Sequence, residues 1–195
     1  MSSRIPDYST LRRIAPGDYG CIFDTLWQKL KKRFFKLECE QFYNVPDDPC
    51  FRAYKAGDID AAMRLFRVSL KEDYKYLDDI TRKNLDYTRV HILERPFSEY
   101  ILFELKTYEV SAHYGQRIFL IESQFARELN MQDKADFMIF DSYAVVFLKY
   151  DSSGLREGIF LSEDSALIEH CNRLAEQLIV RSLSLGKFQD EQELG

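Results

Sequence analysis

The sequence is poor in the residues that mark non-globular chains. Its 195 residues include only 8 glycines and 5 prolines, which excludes a collagen-like or low-complexity chain. Hydrophobic residues make up 46% and charged residues 30%, which is too much apolar surface for a largely disordered chain. A chain of this length buries one full core but is short for two ordinary domains. We therefore predict a single domain over residues 1–188 and a flexible tail over residues 189–195.

Signals for a membrane, an oxidising compartment or a bound cofactor are also missing. No stretch approaches the roughly 18 uncharged apolar residues that span a bilayer, and the first residues lack the apolar core of a signal peptide, so we expect a cytoplasmic protein without a membrane partner. The absence of a glycine-rich phosphate loop argues against nucleotide cofactors, and we expect no cofactor. The cysteines are scattered, without histidines at metal-ligand spacing, which predicts reduced thiols and no metal site. They are Cys21, Cys39, Cys50 and Cys171.

The overall charge is negative but unevenly distributed. The chain carries 27 basic and 32 acidic residues, a net charge of −5, which argues against a general nucleic-acid coat or a polybasic membrane binder. Residues 1–92 carry 17 basic and 14 acidic residues, whereas residues 93–195 carry 10 and 18. The charge pattern therefore excludes indiscriminate binding to nucleic acid and leaves room for one oriented contact in the first half.

The densest positive charge follows an amphipathic segment near the N-terminus. Residues 21–33 carry apolar side chains at helical spacing, which predicts a helix. Five basic residues fall within eight positions with no acidic residue before Glu38, and aromatic residues interleave with them. Such a cluster suits the phosphates of RNA, including a tRNA acceptor arm, and its alternative is a solvated helix face. The basic residues are Lys29, Lys31, Lys32, Arg33 and Lys36.

Hydrophobic periodicity predicts alternating strands and helices along the rest of the chain. One long helix or two short ones begin at residue 58, and residues 99–112 fit a helix better than a strand because of their length and their Glu and Leu content. Helices between the early strands favour βαβ crossovers, and the last three strands favour an antiparallel edge. We predict an α/β fold with a Rossmann-like mixed sheet, helices on both faces and an antiparallel C-terminal edge; α+β is the alternative. The predicted strands cover residues 35–39, 87–93, 118–121, 136–140, 143–150 and 158–161, and further helices cover 124–129 and 162–186.

Several segments together resemble a bacterial family of unknown function. The segments are Phe35-Lys36-Leu37-Glu38, Glu94-Arg95-Pro96-Phe97-Ser98-Glu99-Tyr100 and Asp136-Phe137-Met138-Ile139-Phe140-Asp141. The resemblance covers about residues 35–185 in the same order. That family is common in actinobacteria and is often encoded beside helix-turn-helix regulators. The resemblance implies a fold and, as a partner, a DNA-binding regulator, but no chemistry.

A second resemblance concerns residues 100–104, where Tyr100 and Glu104 are separated by one helical turn. The pair resembles the Tyr-x-x-x-Glu of cyclodipeptide synthases, small Rossmann-like enzymes that join amino acids from two aminoacyl-tRNAs. The resemblance implies that Glu104 holds the α-amino group of an aminoacyl moiety and moves its proton, while Tyr100 orients it. Because no Gly-x-Ser precedes Tyr100, the serine nucleophile of those enzymes has no counterpart. The alternative is a helix with a phenol at the core edge and a solvated Glu.

Four further residues are candidates for substrate binding. Tyr108 continues the helix face of Tyr100 and Glu104 by one turn. Glu94 ends a predicted strand and Ser98 begins the following helix, where α/β proteins usually bind ligands, although Ser98 as a helix cap is the simpler role. Asp141 follows a predicted buried strand and suits recognition of a cationic side chain, with a turn aspartate as the alternative.

These observations favour a cofactor-free aminoacyl transferase that resembles a tRNA-dependent cyclodipeptide synthase. In this hypothesis Glu104 and Tyr100 are catalytic and the basic cluster binds aminoacyl-tRNA. The alternative is a non-catalytic domain that senses a ligand or contacts a protein, and works with a DNA-binding regulator. A pocket that contains Tyr100 and Glu104 would favour a functional site over an ordinary helix surface.

Overall fold

The computed structural model of the chain describes residues 7–45, 47–71, 74–128 and 135–193. Within these residues eight strands form one open sheet. The strands are β1 (Arg12–Arg13), β2 (Arg33–Glu38), β3 (Asp86–Leu93), β4 (Arg117–Glu122), β5 (Asp136–Phe140), β6 (Ala144–Tyr150), β7 (Arg156–Ser162) and β8 (Leu183–Ser184). The helices are α1 (Tyr19–Lys29), α2 (Pro49–Lys55), α3 (Ile59–Ser69), α4 (Tyr74–Arg82), α5 (Glu99–His113), α6 (Ser123–Arg127), α7 (Ser165–Arg181) and α8 (Leu185–Glu193).

The sheet is mixed, with the strand order β1-β7-β6-β5-β2-β3-β4-β8. The strands β2, β3 and β4 are parallel, as expected when helices connect them. The strand β5 pairs antiparallel with β2, and β5, β6 and β7 continue antiparallel to one edge. The predicted α/β class is therefore confirmed. The strands β1, β7, β6 and β5 form an antiparallel half of the sheet, and β8 pairs antiparallel with β4 at the opposite edge.

Helices cover both faces of the sheet, because successive residues of the central strands point to opposite sides. Phe34 packs in a core with residues of α1 to α5, including Trp27 and Phe103. Phe35 packs on the other face with α7, through Ile168 and its helical neighbours. The central strands are therefore buried on both faces, and any polar side chain on them needs a partner.

The helix predicted over residues 21–33 ends earlier, at Lys29. The cause is the carboxylate of Asp141, which accepts the backbone N–H groups of Lys31, Lys32 and Arg33 at 2.8, 3.1 and 2.7 Å. These groups would otherwise continue the helix. The prediction that this stretch is helical to residue 33 is wrong, and Arg33 begins β2 instead.

The C-terminal part also differs from its prediction. A helix was expected to run from residue 162 to 186, but α7 ends at Arg181, and α8 follows after the two-residue strand β8. The helix α8 continues to Glu193, whereas a flexible tail was expected from residue 189. Phe188 of α8 is buried, and Gln189 donates a hydrogen bond to Glu109 of α5 at 2.7 Å. These contacts hold the helix against the fold.

The other predicted elements agree with the structure more closely. The helical interpretation of residues 99–112 is confirmed, and the segment that begins at residue 58 forms two helices. The helix α2 was not predicted; Pro49 starts it, and the Asp48 carboxylate accepts the N–H of Cys50 at 2.8 Å. No helix in the described part of the chain is long and apolar enough to cross a membrane.

Candidate functional site

Buried polar side chains gather under α5, on one face of the two central parallel strands. Lys36 and Glu38 alternate on β2, and Arg89 and His91 alternate on β3. The strand register pairs Lys36 with Arg89 and Glu38 with His91. All four side chains therefore project to the same face. Together with Glu104 of α5, they form a cluster of two basic side chains, two carboxyl groups and a histidine ring.

The hydroxyl of Tyr108 lies at the centre of this cluster. Its oxygen is 2.7 Å from His91 Nδ1, 2.9 Å from Glu38 Oε2 and 2.7 Å from Glu104 Oε2. His91 Nε2 lies 2.9 Å from the carbonyl oxygen of Glu40, which can only accept, so this nitrogen carries the proton. The phenol has a single proton to donate, so its three partners form a coupled network that shares protons.

The two carboxylates of the cluster have opposite tendencies to ionise. Burial opposes the charge of Glu38, but Arg89 at 3.1 Å and Lys36 at 2.6 Å hold the pKa of its carboxyl well below the usual range. Burial and the neighbouring charge of Glu38 raise the pKa of Glu104. Glu38 is therefore the fixed anion of the cluster, and Glu104 is the carboxyl group that takes up a proton more readily.

The sequence-predicted pair Tyr100 and Glu104 is brought together in this cluster. The Tyr100 hydroxyl donates to Glu104 Oε1 at 3.3 Å, and its ring is buried. Burial, followed by the charge of Glu104, raises the pKa of this phenol. Tyr108, predicted as a neighbour, contacts the other oxygen of the same carboxylate. The Glu104 carboxylate thus accepts from one phenol on each side, and it does not project into bulk solvent.

Glu38, His91 and Glu104 also form a possible set of metal ligands, since one donor atom of each lies within 4.8 Å of the others. The Tyr108 oxygen, however, lies within 2.9 Å of all three residues, where an ion would have to bind. Lys36 and Arg89 both pair with the carboxylate of Glu38, and the carboxylate of Glu104 accepts from Tyr100 and Tyr108. Hydrogen bonding and charge pairing therefore account for this cluster without a metal ion.

A cavity of about 410 Å³ lies against the cluster. Arg89 and Glu104 are the charged residues among the described residues that line it, and half of the other lining residues are aromatic. The Trp27 ring stands 5.9 Å from Phe23 and 5.0 Å from Tyr76, measured between ring centroids. The lining residues are Tyr19, Gly20, Phe23, Trp27, Phe66, Leu70, Tyr76, Leu77, Tyr87, Arg89, Glu104, Thr107, Ser111 and Gln116.

Two buried polar atoms that belong to lining residues have no hydrogen-bond partner among the described residues. They are the Nε of Arg89, a donor, and the Oε1 of Gln116, an acceptor. Gln116 is only 8% exposed. In the part of the chain that the structure describes, Arg33 Nε is the other side-chain atom of this kind, and Arg33 does not line the cavity. Unsatisfied buried polar groups are uncommon in folded proteins and call for an explanation.

A second cavity, of about 370 Å³, lies on the other side of Glu104. Tyr100, Glu104 and Thr107 line it together with residues of α2 and α3. Glu104 and Thr107 therefore separate two cavities. Tyr100 and Glu104 thus line the second cavity together, and Trp27 lines the first one.

The remaining substrate-binding candidates lie outside the polar cluster. Ser98 caps α5 by accepting the N–H of Ile101 at 3.1 Å, and it donates to the carbonyl oxygen of Gln41 at 2.8 Å. The backbone N–H of Glu94 donates to Gln41 Oε1 at 2.8 Å. Asp141 lies at the Arg33 end of β2, opposite the Glu38 end, and its carboxylate is occupied by three backbone N–H groups. The structure thus supports the cap for Ser98 and the turn for Asp141.

The basic cluster predicted to bind RNA is divided in the structure. Lys29, Lys31 and Lys32 are exposed. Arg33 pairs with Glu176 of α7, and Lys36 pairs with the buried Glu38. The expectation that most of these residues share one helix is wrong, because the chain turns after Lys29. Binding of RNA by the exposed lysines stays a prediction.

A further buried carboxyl group, that of Asp136, lies nearby at the start of β5. The Asp136 carboxylate accepts the backbone N–H of Cys39 at 2.8 Å and the hydroxyl of Tyr43 at 2.5 Å. Burial raises the pKa of Asp136 to about 7 despite the hydrogen bond from Tyr43. This residue is distinct from the cavity lining, and its role is to tie the end of β2 to β5.

The residues predicted from the sequence did not include four members of the site: Glu38, Arg89, His91 and Gln116. A usable signal exists in the sequence: polar residues at every second position of two strands that are predicted to be central and buried. Such a pattern indicates a buried polar row, because a central strand has no solvent-exposed face. Gln116 has no comparable signal, since it precedes a strand and its neighbours are not informative.

Comparisons with known proteins show a family and distant structural similarities. A family described as a domain of unknown function, DUF6879, matches residues 22–190. No curated protein is similar in sequence. The archaeal chromatin protein TrmBL2, which binds DNA, is 9% identical with a TM-score of 0.48 over 94% of this chain; the chain spans 57% of that protein. The phospholipase D family member Nuc from Salmonella typhimurium is 9% identical with a TM-score of 0.47, over 87% of this chain and 93% of that one.

Proposed function

The chain belongs to the DUF6879 family of domains of unknown function, and we propose that it binds a small organic molecule in the aromatic cavity beside Arg89 and Glu104. The observation that carries this proposal is the combination of aromatic side chains with the charged residues Arg89 and Glu104 in the lining of one cavity. Ligand sites typically join an apolar lining with a few convergent polar groups.

The cavity has the size and the support that a binding site needs. Its volume of about 410 Å³ lies within the usual range of roughly 300–1,000 Å³ for small-molecule sites. The polar groups stand on β3 and α5, which are parts of the rigid core, and their side chains are fixed by further contacts. Arg89 is held by Glu38, and the carboxylate of Glu104 is held by Tyr100 and Tyr108. Such pre-organisation lowers the entropic cost of binding.

Binding is testable with the fluorescence of Trp27, which is the single tryptophan of the chain and lines the cavity. We expect small aromatic molecules, such as 3-phenylpropanol and 3-phenylpropanoate, to change this emission and to raise the melting temperature, because a ligand that binds only the folded state stabilises it. If a panel of such molecules leaves both readouts unchanged, the proposal fails.

A matched pair of variants on α5 separates the cavity from the helix surface. Ser111 is buried and lines the cavity, whereas Ala112 is exposed and does not. Ser111→Leu adds volume inside the cavity and is expected to abolish binding, while Ala112→Leu leaves it intact. Circular dichroism of both variants shows whether the fold is retained. Equal affinity in the two variants would contradict binding in this cavity.

A second candidate function is the aminoacyl transfer suggested by the Tyr100 and Glu104 pair. The observation in its favour is the hydrogen bond from Tyr100 to Glu104, in a carboxyl group whose pKa is raised. A carboxylate of this kind can take a proton from the amine of an aminoacyl group as that amine attacks. The exposed lysines Lys29, Lys31 and Lys32 would contact the phosphates of aminoacyl-tRNA.

The transferase hypothesis predicts a product. Cells that express the protein should contain a new cyclic dipeptide, detectable by mass spectrometry. Glu104→Gln should remove that product, while Glu99→Gln, a change of the same kind at an exposed position of the same helix, should preserve it. If the wild-type protein yields no new cyclic dipeptide, this candidate fails and the binding function is unaffected.

For this binding function, we propose a DNA-binding regulator as the partner. The regulator would bind the protein differently when a ligand occupies the cavity. The support for this partner is the sequence resemblance to a family encoded beside such regulators. Co-purification of the protein with a regulator encoded beside its gene, with and without an aromatic ligand, tests it. A complex whose amount does not change with the ligand would contradict a sensing role.

A further inference from the structure

One guanidinium nitrogen of Arg89 is free to bind a ligand. Its Nη1 donates to the two oxygens of Glu38 at 3.5 and 3.1 Å, and its Nε is buried. Its Nη2 also has no hydrogen-bond partner among the described residues, but unlike Nε it is not buried. Nη2 therefore keeps accessible surface, on a side chain that is 14% exposed as a whole.

The guanidinium group lies close to other residues that line the cavity. Burial opposes the charge of Arg89, but neighbouring oxygen atoms, those of Glu38 first, raise the pKa of its guanidinium well above the usual range. Tyr87 and Glu104 contribute to this effect, and both line the cavity together with Arg89. Because the interaction between charges falls off with distance, the positive end of Arg89 lies near these two lining side chains.

Glu104, the acidic residue of the described lining, already has its partners. Its Oε1 accepts from Tyr100 at 3.3 Å, and its Oε2 accepts from Tyr108 at 2.7 Å. These hydrogen bonds attenuate the negative charge that Glu104 presents to the cavity. A ligand cation would compete with the two phenols and lie close to the guanidinium of Arg89, whereas a ligand anion finds a free charged donor. The partners of the two charged residues therefore favour an anion.

We propose that the ligand is a small aromatic carboxylate, whose carboxylate group accepts from Arg89 Nη2. This inference rests on the proposed binding function and names its ligand class. Charge-assisted hydrogen bonds of this kind, from arginine to a carboxylate, are among the stronger ones in proteins. Arg89 is the one basic residue among the described residues that line the cavity. A single positive charge matches a monoanion, and therefore a carboxylate better than a phosphate.

The rest of the ligand is expected to be aromatic. Phe23 and Tyr76 line the cavity and are only partly buried. Their ring centroids lie 5.3 Å apart in an edge-to-face arrangement. The accessible ring surface offers a ligand ring the edge-to-face and offset contacts that aromatic groups prefer. A compact molecule with one ring and one carboxylate satisfies both parts of the lining.

Three molecules of similar size test the ligand class with the full chain at neutral pH. They are 3-phenylpropanoate, the neutral 3-phenylpropanol and the cationic 3-phenylpropylamine. We expect 3-phenylpropanoate to bind about tenfold more tightly than 3-phenylpropanol, because a hydrogen bond between charged groups contributes more than one to a hydroxyl. The amine should bind most weakly. Titration of Trp27 fluorescence and isothermal calorimetry give the three dissociation constants.

The variant Arg89→Lys tests which residue recognises the carboxylate. Lysine keeps a positive charge beside Glu38 but lacks the second η nitrogen. The affinity for 3-phenylpropanoate is expected to fall about tenfold, while the affinity for 3-phenylpropanol stays the same. Arg67→Lys is the matched control and should change neither affinity, since Arg67 is exposed on α3 and does not line this cavity. Circular dichroism shows whether both variants fold, and the ranking of the three probes on the wild-type protein decides if Arg89→Lys does not.

The outcomes separate the two proposals. If none of the three probes binds to the wild-type protein and the wider aromatic panel also fails, the binding function itself is wrong. If the alcohol or the amine binds as tightly as 3-phenylpropanoate, the cavity is a site for small molecules and the carboxylate assignment is overturned. An equal loss of affinity for 3-phenylpropanoate and 3-phenylpropanol in Arg89→Lys also overturns the assignment.

Discussion

At the scale of single residues, Tyr108 is the side chain on which the polar cluster depends most. Its hydroxyl contacts two carboxylates and a histidine, of which Glu38 and His91 are buried. Removal of the hydroxyl leaves each of them short of a partner in a buried place. Loss of a buried hydrogen-bond partner generally destabilises by the desolvation of the groups left behind.

We expect Tyr108→Phe to lower the free energy of unfolding by about 2–3 kcal/mol. Tyr100→Phe is the matched control, because the Tyr100 hydroxyl donates to a single carboxylate of the described cluster, that of Glu104, at the longer distance of 3.3 Å. It should lower the free energy by about 1 kcal/mol. Urea unfolding measures both, and an equal effect of the two variants would contradict the central position of Tyr108.

Asp136 gives the fold a dependence on pH. Its pKa is raised from 3.8 to about 7 in the folded protein, so the folded state holds a proton that the unfolded state has released between these values. The free energy of unfolding therefore decreases as pH rises from about 4 to 7. The contribution of this residue amounts to at most about 4 kcal/mol.

Asp136→Asn tests this dependence, since asparagine keeps an acceptor for the N–H of Cys39 and cannot ionise. We expect the variant to gain stability relative to the wild type as pH rises from 5 to 8. Urea unfolding at both values gives the comparison. The same pH dependence in both proteins would show that Asp136 titrates normally in the fold.

The sequence predicted the residues of α5 better than those of the strands. Tyr100, Glu104 and Tyr108 follow helical spacing, so their convergence is visible without a structure. Glu38 and His91 lie 53 residues apart, and their contact depends on the register of two parallel strands. Register follows from packing over the whole sheet, which no local pattern encodes.

At the scale of elements, α8 is a structural part of the fold. Phe188 is 2% exposed and packs with Leu120 of β4 and Ile101 of α5 in one apolar cluster. Its ring lies 5.9 Å from that of Phe97. The helix therefore covers the edge of the sheet next to α5, which is the helix that carries the site.

We expect Phe188→Ala to reduce the free energy of unfolding by about 3 kcal/mol, because a buried ring is lost and a cavity remains. Val180→Ala on α7 is the control, since Val180 is 83% exposed, and it should change stability by less than about 0.5 kcal/mol. Chemical denaturation gives both values. A negligible effect at Phe188 would mean that α8 is detached in solution.

The errors at the level of elements have local causes. The end of α1 was misplaced because a carboxylate 110 residues away in sequence takes the N–H of Lys31. The helix α8 was interpreted as a tail because its sequence is polar except for Leu185 and Phe188. Strand positions were predicted well because β-branched and aromatic residues dominate them. At the end of α1 and at α8, contacts between residues distant in sequence determine the structure, and local helix propensity does not.

At the scale of the whole molecule, the sheet joins the two halves of the sequence. The strand β5 comes from the second half and pairs with β2 from the first. An ion pair also crosses between the halves, that of Arg33 with Glu176. The excess of positive charge in residues 1–92 is therefore partly neutralised in space, and the charge asymmetry of the sequence does not divide the molecule into two regions.

This connectivity predicts cooperative unfolding. Trp27 reports on the face covered by α1 to α5, whereas far-UV circular dichroism reports on all helices and strands. Because both faces share the same central strands, we expect the two signals to give the same urea midpoint, as in a two-state transition. Separate midpoints would show that one layer of helices unfolds before the other.

The loop after α1 is held in a way that leaves its side chains free. Asp141 binds three backbone N–H groups there, and every amino acid except proline offers such a group. The shape of the loop therefore does not depend on the lysines that now occupy positions 31 and 32. Related chains can exchange these surface residues for others, and so acquire a new binding preference, without rebuilding the fold that supports them.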